Sequence, residues 1–145
     1  MKKIIFLLLT VFMITGCGNK ELDIKKVNDM IKADFKDSMK LSNNELEGIY
    51  NIDTSVFKNA SVYVDKSSNN ADVYAVFEVK GDYDAALLET EYFIEQYKKS
   101  WDQGYFPEEV KKIKNSEKEE YNNYIIYVVS DNASNAVEKI KGCTK

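Results

Sequence analysis

The spacing of apolar residues divides the chain into stretches of different rhythm. Residues 4–14 form an uncharged, mostly apolar run behind Lys2 and Lys3. From residue 22 onward the apolar positions recur every three or four residues. Ile24, Val27, Ile31 and Phe35 form one stripe, with Met30 beside it and Met39 prolonging it, which predicts a helix over 22–40. Ser42 and Glu45 have capping-box spacing, and Leu41 and Leu46 are placed as the accompanying hydrophobic staple, so a short second helix runs to residue 50. The rhythm then drops to two. Ala60, Val62 and Val64 alternate with Ser61, Tyr63 and Asp65; Val73, Ala75, Phe77 and Val79 alternate with Tyr74, Val76, Glu78 and Lys80. The polar run 66–70 between them predicts a β-hairpin.

Gly81 ends this pattern and Asp82 offers an N-cap for a long helix over 83–101, whose stripe is Leu87, Thr90, Ile94, Tyr97 and Trp101, widened by Ala86 and Phe93. Pro107, the only proline, suits the first position of one further helical turn. The very polar run 115–121 reads as an edge strand protected by charge, Asn122-Asn123 as a two-residue turn, and 124–129, apolar on both faces, as a more central strand. Ser130 and Asp131 are expected to cap a last helix with Ala133, Ala136, Val137 and Ile140 on its inner side. The order α-α-β-β-α-β-β-α predicts a single α+β domain over 22–145, with about four antiparallel strands and helices packed on one face.

The amino terminus has a different character. Eleven residues in a helix span about 16 Å, roughly half of a bilayer core, so 4–14 has the length of a signal-peptide apolar region and is too short for a transmembrane helix. The residues that close it, Ile14-Thr15-Gly16-Cys17, resemble the lipobox of bacterial lipoproteins, with isoleucine where leucine is usual. That resemblance implies cleavage between Gly16 and Cys17 and transfer of diacylglycerol to the Cys17 thiol. Residues 1–16 would then be a signal peptide and 17–21 a lipidated start and short tether. The alternatives are an ordinary secretory signal with a coincidental cysteine, or an uncleaved anchor. Two acyl chains on one residue pass the threshold at which a single chain binds only marginally, since each buried methylene contributes about 0.8 kcal/mol.

Composition narrows the chemistry. All 20 basic residues are lysine, against 24 acids, and there is no histidine. Loss of Lys2 and Lys3 would take the net charge from −4 to −6. Such a domain is a poor nucleic-acid partner, because phosphates reward clustered cations. Lacking histidine, it has no Ser-His-Asp or Cys-His system and no histidine metal site. Lacking arginine, it has no bidentate carboxylate or phosphate clamp. No cofactor, metal or catalytic set is expected. The abundance of Lys, Asn, Ile and Tyr is the imprint of an AT-rich genome and suggests a Gram-positive source. Cys143 has no partner if Cys17 carries lipid, and sits where a fraying terminus is expected; it is incidental or forms an intermolecular disulfide.

Two leads remain. Glu117, Glu119 and Glu120 are close in sequence, but Lys118 intervenes and a solvated charged edge accounts for them. Tyr63, Tyr74 and Tyr127 fall on the outer face of the sheet if the core face is the one chosen here, and form a candidate interaction surface; the competing reading is that they fill a core. Trp101 and Tyr105-Phe106 add to the aromatic count. Finally, 46–53 (LEGIYNID), 71–80 (ADVYAVFEVK) and 123–131 (NYIIYVVSD) resemble domain of unknown function 4358, a family of Gram-positive lipoproteins, over about 41–140. Here 115–121 is more polar than the family's strand. The resemblance implies a small α+β domain in a lipoprotein setting and carries no catalytic residue. The expected function is a lipid-anchored, non-catalytic interaction or accessory module on the outer face of the cell membrane, with a protein or cell-wall partner. The rival is an envelope ligand-binding protein or carboxylate-dependent enzyme acting on glycans.

Overall fold

A computed structural model describes residues 20–101 and 103–145. Gly16 and Cys17, the proposed cleavage and lipidation site, lie outside the described residues. Among the described residues the chain forms α1 (Ile24–Asp34), β1 (Ser38–Lys40), α2 (Asn43–Tyr50), a 3-10 turn (Thr54–Val56), β2 (Phe57–Asp65), β3 (Val73–Val79), α3 (Tyr83–Lys99), α4 (Pro107–Lys114), β4 (Glu117–Tyr121), β5 (Tyr124–Val129) and α5 (Ala133–Lys141). The class is α+β, as the pattern predicted. The sheet is antiparallel throughout and runs β1-β2-β3-β5-β4.

Local chemistry sets most boundaries. Asp23 and Asp82 cap α1 and α3, each accepting two backbone amides. The Ser42–Glu45 capping box is formed in both directions, and both staple leucines are buried. Asn51 ends α2 in the left-handed region, and Asn122 takes the positive φ that the β4–β5 turn needs. Two boundaries differ from expectation. The last helix is capped by Asn132 rather than by Ser130 or Asp131, and α4 is two turns long rather than one.

Two larger differences concern the sheet. The first helix stops at Asp34, and residues 38–40 leave it to pair with the edge of β2, so Met39 leaves the helical stripe and the sheet gains a fifth strand. Tertiary pairing outweighs helical spacing here, helped by the turn at Lys36-Asp37. The helices also cover both faces of the sheet instead of one. The α2, α3 and α4 side packs Leu46, Phe93 and Ile113 against Val62, Phe77 and Ile125. The α1 and α5 side packs Ile31 and Ile140 against Val76 and Ile126. β3 and β5 are buried along nearly their whole length, and strands apolar on both faces need cover on both.

The carboxyl terminus does not fray. Leu22 pairs with Thr144, Asp23 N–H donates to Cys143 carbonyl at 2.8 Å, and Lys145 N–H donates to Glu21 carbonyl at 3.1 Å. Lys145 Nζ adds an ion pair to the Glu21 carboxylate. Cys143 is partly buried; its thiol donates to the Lys139 carbonyl at 3.3 Å and is pushed up in pKa by that burial. The last residues thus clamp the chain entry to the body of the domain.

Candidate functional site

The tyrosines proposed as an interaction surface do not form one. Tyr63, Tyr74 and Tyr127 are only 2 %, 5 % and 1 % exposed. They are also split between faces: Tyr63 and Tyr74 lie opposite one another under α1 and α5, while Tyr127 faces α3 and α4. Tyr63 and Tyr74 sit under a helical layer that a one-sided sheet would lack, whereas Tyr127 points into the core face that the sequence pattern already assigned to α3. Tyr74 Oη donates to Asp34 Oδ2 at 2.7 Å; burial, then this acid, push its phenol far up. Lys139 also reaches Asp34 at 2.6 Å and, with Tyr74, holds its carboxyl below the usual range. The Tyr127 hydroxyl lies near Ser116 without forming a hydrogen bond of good geometry, and burial raises its pKa.

The acidic run of β4 is the charged and largely exposed edge strand that the sequence predicted, and its side chains also reach the flanking helices. Its side chains alternate between the two helical layers as the pleat requires. Glu117 accepts from Ser134 and Glu119 pairs with Lys141, both on α5. Lys118 pairs with Glu91 and Glu120 accepts from Tyr83, both on α3. Desolvation and that glutamate push the Tyr83 phenol up to about 12. None of these acids is left as a free pair.

The feature that gathers aromatic and polar groups is a groove at one end of the sheet, where β1 and β2 meet the ends of α2 and α3. Its volume is about 380 Å³. Its rings form a chain that starts in the core. Phe93 meets Phe77 at 5.6 Å and Tyr50 edge-on at 4.8 Å. Tyr50 lies 6.4 Å from Tyr97, Tyr97 lies 6.4 Å from Trp101, and Trp101 meets Phe106 edge-on at 5.3 Å. Such tilted and edge-on pairs lock ring orientation, each contributing about 0.5–1.5 kcal/mol beyond burial. Met39 and Ile49, 40 % and 63 % exposed, flank the rings. Asp65, Lys66, Ser67, Ser68, Asn70 and Ser100 form the polar rim. Burial draws the Asp65 carboxyl upward, but hydrogen bonds from Ser67 and Asn70 outweigh it and hold the group below its ordinary pKa.

A half-buried brace holds the groove's wall. Lys112 on α4 reaches Asp72 at 2.8 Å, Asn70 at 2.9 Å and Glu109 at 3.0 Å. Glu109 accepts the Ala71 N–H at 2.7 Å, and Tyr97 Oη donates to the Ala71 carbonyl at 2.6 Å. Although desolvation opposes it, these acids keep the Lys112 ammonium above its ordinary pKa. The brace ties α3 and α4 to the β2–β3 loop and leaves each of its charges paired. Among the described residues, no group of three or more acids and cysteines is arranged to hold a metal.

A family model, Domain of unknown function (DUF4358), matches residues 31–130. The chain belongs to this family. No curated protein and no solved structure matches the chain. The DUF4358 span contains every groove residue from Met39 to Phe106 and the brace, whereas the clamp at 20–23 and 143–145 lies outside it. Sequence reasoning singled out Trp101 and Phe106 but missed Met39, Ile49 and Tyr50, which separate segments bring to them. The signal available was an apolar residue, Ile49, beside the buried stripe of a short helix.

Proposed function

We propose that the chain is a lipid-anchored, non-catalytic binding module on the outer face of the cell membrane, working through the groove at the end of the sheet. The observation that carries the reading is the order of signals at the amino terminus: positive residues, a short apolar run, the lipobox-like Ile14-Thr15-Gly16-Cys17, and then a folded domain that begins by Leu22. With Glu21 clamped, only residues 17–20 remain as a tether, a reach of about 14 Å at full extension.

The sheet register supports the division of labour. Tyr124 and Glu78 pair at the tether end, where Asn122 also donates to the Lys20 carbonyl. Val73, Val64 and Val129 mark the other end, beside the groove. Five strand steps along β3, about 17 Å, separate the two. A short tether at one end and a groove at the other suit a module that offers its binding surface away from the bilayer. Asp65 is the only carboxylate among the described residues of the groove, and it is engaged by its own loop, whereas glycoside cleavage calls for two acids flanking one bond. No helix among the described residues is long and apolar enough to cross a membrane.

Fractionation tests the reading. The wild-type chain is expected in the detergent phase, processed to the smaller form. Cys17→Ser is expected to be unprocessed or released from the membrane. A Cys17→Ser chain that matures and partitions like wild type would refute lipidation.

A further inference from the structure

We infer that the groove is a carbohydrate site, built for an uncharged glycan strand of N-acetylated hexosamines such as a cell wall presents. The groove's floor and rim carry the assignment. Trp101, Tyr50 and Phe106 supply ring surface of the kind that packs against the C–H faces of pyranose rings; Trp101 and Phe106 meet edge-on, and Tyr50 and Trp101 pack at a tilt against Tyr97, which fixes them in place before a ligand arrives. Met39 and Ile49 leave exposed apolar surface beside the rings for an acetyl methyl to pack against. The hydroxyls of Tyr50 and Ser68 make no hydrogen bond to a described residue, so they have donors and acceptors to give. A mixed aromatic and polar lining of about 380 Å³ lies at the lower end of the range for small-molecule sites.

Charge selects among glycans. The rim's one lysine, Lys66, is offset by Asp65, the chain has no arginine, and its net charge is −4. Phosphate- or uronate-bearing polymers would be repelled, and a neutral strand is not. The source of the glycan, a wall outside the membrane, rests on the proposed anchoring; the groove's chemistry does not.

The chain's single tryptophan lines this groove, so its fluorescence reports the site alone. The experiment titrates the full-length protein in detergent with the tetramer of β-1,4-linked N-acetylglucosamine, following Trp101 emission and, for variants, calorimetry. A saturable emission change is expected. Trp101→Ala and Ile49→Lys should each weaken binding by about tenfold or more, Trp101→Phe by less than about threefold, and Tyr92→Ala, outside the groove, not at all. Ile49 is exposed, so its variant keeps the test valid if Trp101→Ala fails to fold. No saturable response up to about 10 mM sugar, wild-type binding by folded Ile49→Lys, or a response to an apolar peptide but not to the sugar would overturn the assignment. The same titration of the Cys17→Ser chain should match wild type, which separates failure of this site from failure of the anchoring.

Discussion

The two ends of the sheet are built on opposite plans. At the tether end, backbone and side chains are committed to one another: Leu22 pairs with Thr144, Lys145 reaches Glu21, Lys58 reaches Glu78, and Asn123 donates to the Val79 carbonyl. At the far end a braced wall surrounds a groove whose flanks, Met39 and Ile49, stay exposed. Tyr105, 82 % exposed, stands in the loop beyond Trp101. The Lys112 brace holds the wall of that groove, the surface proposed to bind.

Truncating a core side chain at each end should make the contrast measurable. Phe93 is fully buried where the groove's rings enter the core, and Phe93→Ala should cost about 3–5 kcal/mol in urea unfolding and shift Trp101 emission, because Tyr50 and Tyr97 lose their support. Leu22 is equally buried at the clamp. Leu22→Ala should cost somewhat less, about 2–4 kcal/mol, and leave Trp101 emission unchanged in the folded protein. Equal emission changes in the two variants would erase the distinction between the ends.

The smallest effect concerns the helical layer of α1 and α5. Lys139 and Tyr74 depress the folded pKa of Asp34 below its ordinary 3.8. Its contribution to stability is therefore present above that value and is lost as pH falls through the lowered one. Asp34→Asn should lose a modest part of neutral-pH stability and show a shallower acid limb than wild type. An unchanged limb would mean that the Asp34 pair is stabilising in appearance only.

Local signals and tertiary ones differ sharply in how well they can be read from the chain. Helices α3 and α5, the Ser42 cap and the β2–β3 hairpin were legible because their signals are local: an acid or hydroxyl at the caps of α3 and α2, an apolar stripe along α5, an alternation of two, a polar turn. β1 was not legible, since three residues acquire strand geometry only from β2 beside them. The tyrosines misled because Tyr63 and Tyr74 occupy the alternate positions that a one-sided sheet would expose. The clue was in β5, whose apolar run on both faces called for a second helical layer, and α1 with α5 supplies it. The groove was half legible. Trp101 and Phe106 are close in sequence, but Met39, Ile49 and Tyr50 reach them only through the pairing of β1 and the packing of α2 on α3.

The role proposed for this domain hangs on the chemistry of one sulfur atom at the start of the tether. Mass spectrometry of the amino-terminal peptide, taken from protein extracted from its native membrane, reads it directly. A lipid anchor requires a peptide that begins at Cys17 and carries a diacylglyceryl thioether. A peptide that begins elsewhere, or a Cys17 with an unmodified thiol, would rule the anchor out.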